Sequence, residues 1–195
     1  MHPAGLRAGF GYLASVWGYT AFNGFLPLHI AAFGGGASGM HFVVYGCMLF
    51  TVRLVAGQRH LAAMAPRPIA AAALALTAAG LTLLAAWLSV SGALCATALI
   101  GAGQGLALPA ILRMAVDSLP LQERGSAVAT TTAFFDIGFL SAALALGVLA
   151  QHLGYAAGFA LAGAVSAGAA LLFLSFPHQR REASREGVNR DHSPH

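Results

Sequence analysis

Charged side chains are scarce in this sequence. They make up 8% of its 195 residues, against about 25% in an ordinary soluble domain. Hydrophobic residues account for 58%, and the mean hydropathy is +0.74. The shortage of charge therefore excludes a soluble domain and indicates an integral membrane protein. Segments of about ten residues with alternating polarity are also missing, which argues against a transmembrane barrel of strands.

Cysteine and lysine are also scarce. The two cysteines, Cys47 and Cys95, lie in apolar runs, so small packing roles are predicted and a disulfide framework is not. Lysine is absent, and the ten basic residues are all arginine, a bias that GC-rich coding produces and that predicts a bacterial source. The one close histidine pair, His192 and His195, lacks further ligands, so no metal or cofactor is predicted. The arginines form no single face, which argues against a nucleic-acid partner.

Six apolar runs are long enough to cross a bilayer, since each crossing needs about 20 residues. The predicted spans are residues 8–33, 40–56, 68–90, 92–115, 125–149 and 154–176. Turn-forming or polar connections separate them at residues 34–39, 58–68, 91–92, 117–124 and 151–154. We therefore predict an all-α transmembrane bundle over residues 1–176 and a polar, disordered tail over residues 177–195.

The arginines predict how the chain is oriented. On a path of six crossings they all fall on one side of the membrane: Arg7, Arg53, Arg59, Arg67, Arg113, Arg124 and the four arginines of the tail. Because arginine and lysine accumulate on the cytoplasmic side, both termini are predicted to be cytoplasmic. An odd number of spans would scatter the arginines, so their distribution also favours six.

The spans show an inverted pattern when they are taken in threes. Pro27 and Pro109 lie about three-quarters along the first and fourth spans, which cross in opposite directions, and both are candidates for helix kinks. The second and fifth spans each contain a charge, Arg53 and Asp136, whereas the third and sixth are plain. Two inverted three-helix repeats are typical of secondary transporters, in which binding sites lie at the repeat interface.

Several stretches resemble one family of transporters. They are FNGFLPLHIAAFG (22–34), YGCMLFTVRLVAG (45–57), GAGQGLALPAILR (101–113), LPLQERGSAVATTTAFFDIG (119–138) and LGYAAGF (153–159). In order and spacing they are similar to the carboxy-terminal half, helices seven to twelve, of a major facilitator superfamily (MFS) transporter, and most of all to its bacterial sugar and drug efflux branches. The resemblance implies proton-coupled efflux of a small organic solute across the bacterial inner membrane by alternating access, without enzymatic chemistry.

Two features depart from that family. The loop GQRHLAAMAPR (57–67) has Leu61 where the family often has an acid, so the gate contact of that loop lacks its carboxylate. The family has twelve helices, so six imply a partner, either a missing amino-terminal half or a second half-transporter. A truncated or non-transporting assembly partner remains an alternative.

Asp136 is the main candidate for a functional residue. A helix that begins near Gly125 places it about 16 Å deep at 1.5 Å per residue, near the middle of a ~30 Å apolar core. A carboxylate there costs roughly 2.5–3.5 kcal/mol on insertion scales, so it is expected to be functional or specifically paired. One interpretation is proton coupling or substrate contact, and the other is a structural partner for a helix end or for an arginine of the absent half.

Four further polar residues are candidates for the substrate or proton path: Asn23, His29, Tyr45 and Gln104. The family's arrangement would turn their helices toward a cavity, but an interhelical hydrogen bond explains each residue equally well. The position of His29 near the outer end of its span also fits a residue at the membrane interface.

Four charged residues are candidates for a cytoplasmic gate: Arg53, Arg113, Glu123 and Arg124. The first two lie near helix ends, where snorkelling and the helix dipole account for them as well. A solvated loop pair accounts equally well for Glu123 and Arg124.

Two glycine-rich motifs imitate sites of other proteins. The motif GAGQG (101–105) lacks the preceding strand of a dinucleotide fingerprint, so we interpret its glycines as allowing close helix packing. The motif GASG (36–39) imitates the serine motif of intramembrane proteases, but Ser38 has no suitably placed histidine in a late span. An intramembrane hydrolase is therefore the least favoured alternative.

Overall fold

The computed structural model describes residues 3–56, 64–117 and 119–175. Over these ranges the chain is all-helical, as predicted. The helices are α1 (Pro3–Ala32), α2 (Gly39–Ala56), α3 (Pro66–Ala86), α4 (Val90–Val116), α5 (Leu121–Leu153) and α6 (Tyr155–Ser175). The predicted tail 177–195, with its two histidines, lies outside the described residues, as does Leu61.

Five helices, α2 to α6, are long and apolar enough to cross a membrane. They make the chain an integral, multi-pass membrane protein. The first helix has 30 residues and is not among the five. Polar side chains such as Thr20, Asn23 and His29 reduce its hydropathy.

The connection predicted at residues 91–92 is wrong. The chain leaves α3 at Ala86 and begins α4 at Val90. Ser89 caps α4, because its hydroxyl accepts a hydrogen bond from the Gly92 backbone N–H at 3.0 Å. The connecting residues 87 and 88 are a tryptophan and a leucine, so composition did not distinguish them from a helical span.

The connection predicted at residues 117–124 is too long. α5 begins at Leu121 with Pro120 as its N-cap, so Glu123 and Arg124 lie in the first helical turn and not in a loop. The negative charge of Glu123 complements the positive end of the helix dipole there. At its other end α5 continues to Leu153, and Gly154 makes the turn with a φ of 82°, which glycine adopts without steric cost.

The directions of the helices follow from side chains that meet across their interfaces. Gly11, early in α1, packs against Phe173, late in α6, whereas His29 packs against Phe159 near the opposite ends. These two helices are therefore antiparallel. α3 is antiparallel to α6 as well, since Arg67 Nε at its start donates to the Phe173 carbonyl oxygen at 2.7 Å. The start of α1 and the end of α6 consequently lie at the same end of the bundle.

The glycines of GAGQG bring α4 close to two neighbouring helices. A Cβ atom on Gly101 would lie 2.6 Å from the Tyr45 carbonyl oxygen, and one on Gly105 would lie 2.8 Å from the Leu49 carbonyl oxygen. α2 and α4 are thus parallel and in backbone contact. Gly103 packs in the same way against α3. These contacts confirm that the glycines allow close helix packing.

The bundle has two layers. α2, α4, α1 and α5 lie side by side in this order, while α3 and α6 pack behind α4 and α1. In a three-helix repeat α1 corresponds to α4, α2 to α5 and α3 to α6. The contact between α2 and α4 then corresponds to that between α5 and α1, and the contact between α1 and α6 corresponds to that between α4 and α3; all four contacts are present. Two inverted repeats give this arrangement. α2 and α5 therefore hold equivalent outer positions, and α3 and α6 hold equivalent rear positions.

Candidate functional site

Gln104 connects α4 to α1. Its Nε2 donates to the Ser15 carbonyl oxygen at 3.0 Å, and its Oε1 accepts a hydrogen bond from the Ser15 hydroxyl at 3.1 Å. Both the amino group and the carbonyl group of the amide are engaged. Of the two interpretations of Gln104, the interhelical hydrogen bond therefore fits the geometry, and the residue holds together the two central helices of the front layer.

His29 connects α1 to α3. Its ring is 4% exposed, and Nε2 donates to the Leu84 carbonyl oxygen at 3.0 Å. The rings of Phe33 and Phe159 pack edge-on against it, with centroids 5.5 and 5.0 Å away. His29 is therefore inside the bundle and not at its surface.

Tyr45 and Asn23 belong to a cluster between α1 and α2. Tyr45 stacks on Phe22 with a centroid distance of 4.6 Å, and it is within electrostatic range of Tyr19 and Arg53. Asn23 Nδ2 donates to the Tyr19 carbonyl oxygen at 3.0 Å. No further hydrogen bond engages the Asn23 side-chain oxygen or the Tyr45 hydroxyl within the described ranges, so both groups can still bind a polar ligand.

Asp136 lies midway between the ends of α5. Its side chain is exposed, and it points away from α1, because Phe134 and Gly138, two positions to either side, face that helix. The carboxylate makes no hydrogen bond or ion pair with any residue that the structure describes. The six-helix bundle itself therefore does not account for Asp136.

Toward the start of α5, the helix face in line with Asp136 consists of small residues. Gly125, Ala129 and Thr132 recur at helical spacing before it, and all three are exposed. The Thr132 hydroxyl donates to the Val128 carbonyl oxygen of its own helix at 3.0 Å. This half of α5 thus presents a smooth, weakly polar face that ends at a carboxylate.

Arg113 has two contacts at the end of α4. Its Nε lies 3.6 Å from Asp117 Oδ2, and a terminal nitrogen donates to the Met64 carbonyl oxygen at 3.3 Å. Arg124, at the start of α5, donates through Nε to the Leu119 carbonyl oxygen at 3.1 Å. The predicted gate residues Arg113 and Arg124 thus bind backbone groups at one end of the bundle.

Arg53 lies in the last turn of α2 and is exposed. It lines a groove of about 400 Å³ together with Ala56, Leu108, Pro109 and Leu112. The helices remain continuous through both Pro27 and Pro109, so kinks at these residues stay predictions.

Two of the polar contacts that sequence reasoning missed differ in how far they were foreseeable. The pairing of Asp117 with Arg113 was available from their i,i+4 spacing. The hydrogen bond from Trp17 Nε1 to the Ser141 hydroxyl, at 3.0 Å between α1 and α5, has no such local indication. A contact between residues so far apart in the chain depends on how the helices are rotated about their axes.

Three buried polar side chains were also missed. The hydroxyls of Thr20 and Thr97 and both ring nitrogens of His41 have no hydrogen-bond partner of good geometry among the described residues. The His41 ring does lie near the backbone of Ser38 and Val90. A threonine or histidine in an apolar run does not reveal whether its helix face will be covered, which is why none was singled out.

The described helices form a two-layered bundle, and the helices of its front layer, α2, α4, α1 and α5, carry the polar candidates. A comparison with protein-family models finds that the Major Facilitator Superfamily matches residues 8–194, which is nearly the whole chain. Membership of this family implies transport of solutes across a membrane and is consistent with the prediction that the chain is not an enzyme. The chain belongs to the Major Facilitator Superfamily.

Proposed function

We propose that the chain forms one six-helix half of a secondary transporter that exports a small organic solute in exchange for protons by alternating access. α1 is the sixth span, and both termini face the cytoplasm. Support comes from Arg53, Arg67, Arg113 and Arg124, which all belong to helix ends on the same side of the bundle as the start of α1 and the end of α6. The absence of lysine supports a bacterial source, and hence the inner membrane.

The observation that carries this proposal is the exposed, unpaired carboxylate of Asp136 halfway along an apolar helix. Contact with lipid would cost roughly 2.5–3.5 kcal/mol on insertion scales. Such a group is stable at this depth only if protein or a water-filled cavity covers it. A second six-helix half packed against α2 and α5 would supply both, since these outer helices leave most of their apolar side chains uncovered.

Asp136 can couple proton movement to solute movement. In a desolvated site the neutral acid is favoured over the carboxylate, whereas a nearby positive charge favours the carboxylate. A cationic solute, or an arginine brought close when the halves rock, would therefore release the proton. Asn23 and Tyr45 supply free hydrogen-bonding groups on the same front layer, and Gln104 holds the central helices in register.

The second role for Asp136 is structural. In that case it pairs permanently with a helix end or a basic residue of the other half. Both roles need the second half, and they differ in whether the proton is exchanged during transport.

The cytoplasmic gate in this proposal is built on Arg113 and Asp117, with Arg53, Glu123 and Arg124 around it. The Arg113–Asp117 pair is exposed and spaced i,i+4, so it is weak by itself. A weak pair can exchange partners when the opposite half approaches, which a gate requires.

The test is to produce the full chain together with a complementary amino-terminal half and to reconstitute both in proteoliposomes. Efflux of the fluorescent cation ethidium and of a radiolabelled monosaccharide is then measured across a range of pH. We expect Asp136→Asn to lower proton-driven efflux at least tenfold and to remove its pH dependence. Asp136→Glu, which keeps the acid, should retain a pH dependence.

The alternatives give different results. If Asp136→Asn exports with an unchanged pH profile but the two halves no longer copurify, the residue is structural. If neither solute nor any proton flux is detected while the halves copurify, the chain acts as a non-transporting assembly partner. An unchanged complex with unchanged, pH-dependent transport would contradict both roles of Asp136.

A further inference from the structure

The groove beside Arg53 lies between the ends of α2 and α4. Its walls are the side chains of Ala56, Leu108, Pro109 and Leu112, which are apolar, and Arg53 is the charged residue among its lining. Its volume of about 400 Å³ is comparable to the smaller ligand pockets of proteins, which begin at about 300 Å³.

The groove opens because the packing between the two helices changes along their length. At Gly105 the helices are in backbone contact, with the Leu49 carbonyl oxygen 2.8 Å from a Cβ placed on the glycine. One turn further on, Leu108 and Pro109 replace glycine. Their larger side chains keep α2 away from α4, so a space remains beside the last turn of α2.

The charged group of the groove lacks a protein partner among the described residues. Arg53 is exposed and makes no hydrogen bond or ion pair with a residue inside the described ranges. A guanidinium thus lies beside an apolar slot.

We propose that this groove binds an anionic phospholipid of the bilayer, with its phosphate on Arg53 and part of an acyl chain along Pro109 and Leu112. Basic pockets between transmembrane helices, at the level of the head groups, bind anionic lipids. Arg53 occupies such a level, in the last turn of a helix long enough to cross the membrane.

Arg113 provides a matched control at the same end of the bundle. Its guanidinium is already engaged by Asp117 and by the Met64 carbonyl oxygen, and it is not part of the groove. Neutralising Arg113 removes the same charge as neutralising Arg53 but leaves the slot intact.

The experiment is native mass spectrometry of the purified full chain in detergent, titrated with phosphatidylglycerol or with phosphatidylcholine of the same acyl chains. We expect the chain to bind phosphatidylglycerol more tightly. Arg53→Gln should weaken that binding about fivefold, the equivalent of about 1 kcal/mol for one basic residue near an anionic lipid. Arg53→Lys should retain most of it, and Arg113→Gln should change it less than twofold.

A second variant tests the apolar wall. Leu112→Trp fills the slot and should weaken both lipids to a similar extent, whereas Arg53→Gln should affect phosphatidylglycerol alone. Helix content by circular dichroism shows whether each variant is folded. If Arg53→Gln does not fold, Leu112→Trp and Arg53→Lys still test the groove against the parent chain.

Three results would overturn the proposal. If Arg113→Gln weakened phosphatidylglycerol binding as much as Arg53→Gln does, the lipid would be held by a diffuse basic surface and not by this groove. Displacement of the lipid by millimolar inorganic phosphate would show that the site takes a free anion instead. Equal binding of the two lipids by the parent chain would show that Arg53 does not select for anionic head groups.

Discussion

α2 and α3 follow each other in the chain and are both apolar enough to cross a membrane, yet they differ in how much of their surface is buried in the bundle. α2 has a single buried side chain, His41. α3 buries nine residues, among them Leu74, Thr77 and Leu81. The reason is position: α3 packs between α4 and α6, whereas the backbone of α2 packs along α4 and its Phe42 and Tyr45 rings contact Phe22 of α1.

The inverted partners of these helices repeat the contrast. In α6, 39% of the apolar window is buried, but in α5 only 22% is. The outer helices α2 and α5 also contain the charged candidates Arg53 and Asp136, while the rear helix α6 contains no charged residue. Apolarity in a membrane protein therefore does not indicate burial inside the protein, and uncovered faces with charge indicate where a further surface is expected.

The largest effect should come from filling the rear interface. A Cβ on Gly103 would lie 2.6 Å from the Ala73 carbonyl oxygen, and both backbones are fixed by other helices. We expect Gly103→Val to destabilise the folded chain by about 3 kcal/mol, at the upper end of typical overpacking. Unfolding in detergent, followed by circular dichroism, measures this loss.

Gly168→Val is the control for helix propensity, since a Cβ at this position in α6 meets no atom within 4 Å. Equal stability of the Gly103 and Gly168 variants would show that the rear interface is not closely packed.

A smaller effect is expected at the outer interface. Gly105→Val places its side chain against the Leu49 backbone, but α2 can move outward because it has no helix on its other side. We expect a loss of about 1 kcal/mol, at the lower end of overpacking, and a weaker association with the other half. Gly46→Val, at an open position of α2, is its control. A larger loss than for Gly103→Val would reverse the comparison of the two interfaces.

The hydrogen bond between Ser15 and Gln104 tests the centre of the front layer. A double-mutant cycle with Ser15→Ala and Gln104→Leu should give a coupling energy of about 0.6 kcal/mol, the average for interhelical hydrogen bonds in a membrane protein. The two residues are 89 positions apart, so any coupling reports on tertiary structure. Strictly additive losses would show that the bond contributes nothing to stability.

The smallest effect is expected for the exposed Arg113–Asp117 pair at the end of α4. Arg113→Gln and Asp117→Asn should each change stability by no more than about 0.5 kcal/mol, since the pair is exposed and spaced i,i+4. The effect should shrink further in high salt, because exposed charges are screened. A loss above about 1 kcal/mol that persists in high salt would indicate a buried network in place of a surface pair.

The sequence predicted several features correctly for identifiable reasons. Composition alone indicated a membrane protein, and the length of the apolar runs indicated the helices. The spacing of glycines in GAGQG indicated close packing. The break before α4 was misplaced because Trp87 and Leu88 are as apolar as the helices on either side.

The sequence by itself thus determined the class of the protein, its helices and the place of Asp136 within an apolar run. Only the tertiary structure decided that His29 is buried against Leu84, that Gln104 bonds to Ser15, and that Asp136 points out of the bundle. The physical reason is that these helices are apolar on nearly all sides, so periodicity does not mark the inner face. Rotation about each helix axis is set by packing against distant parts of the chain, above all by the glycines that admit a neighbouring backbone.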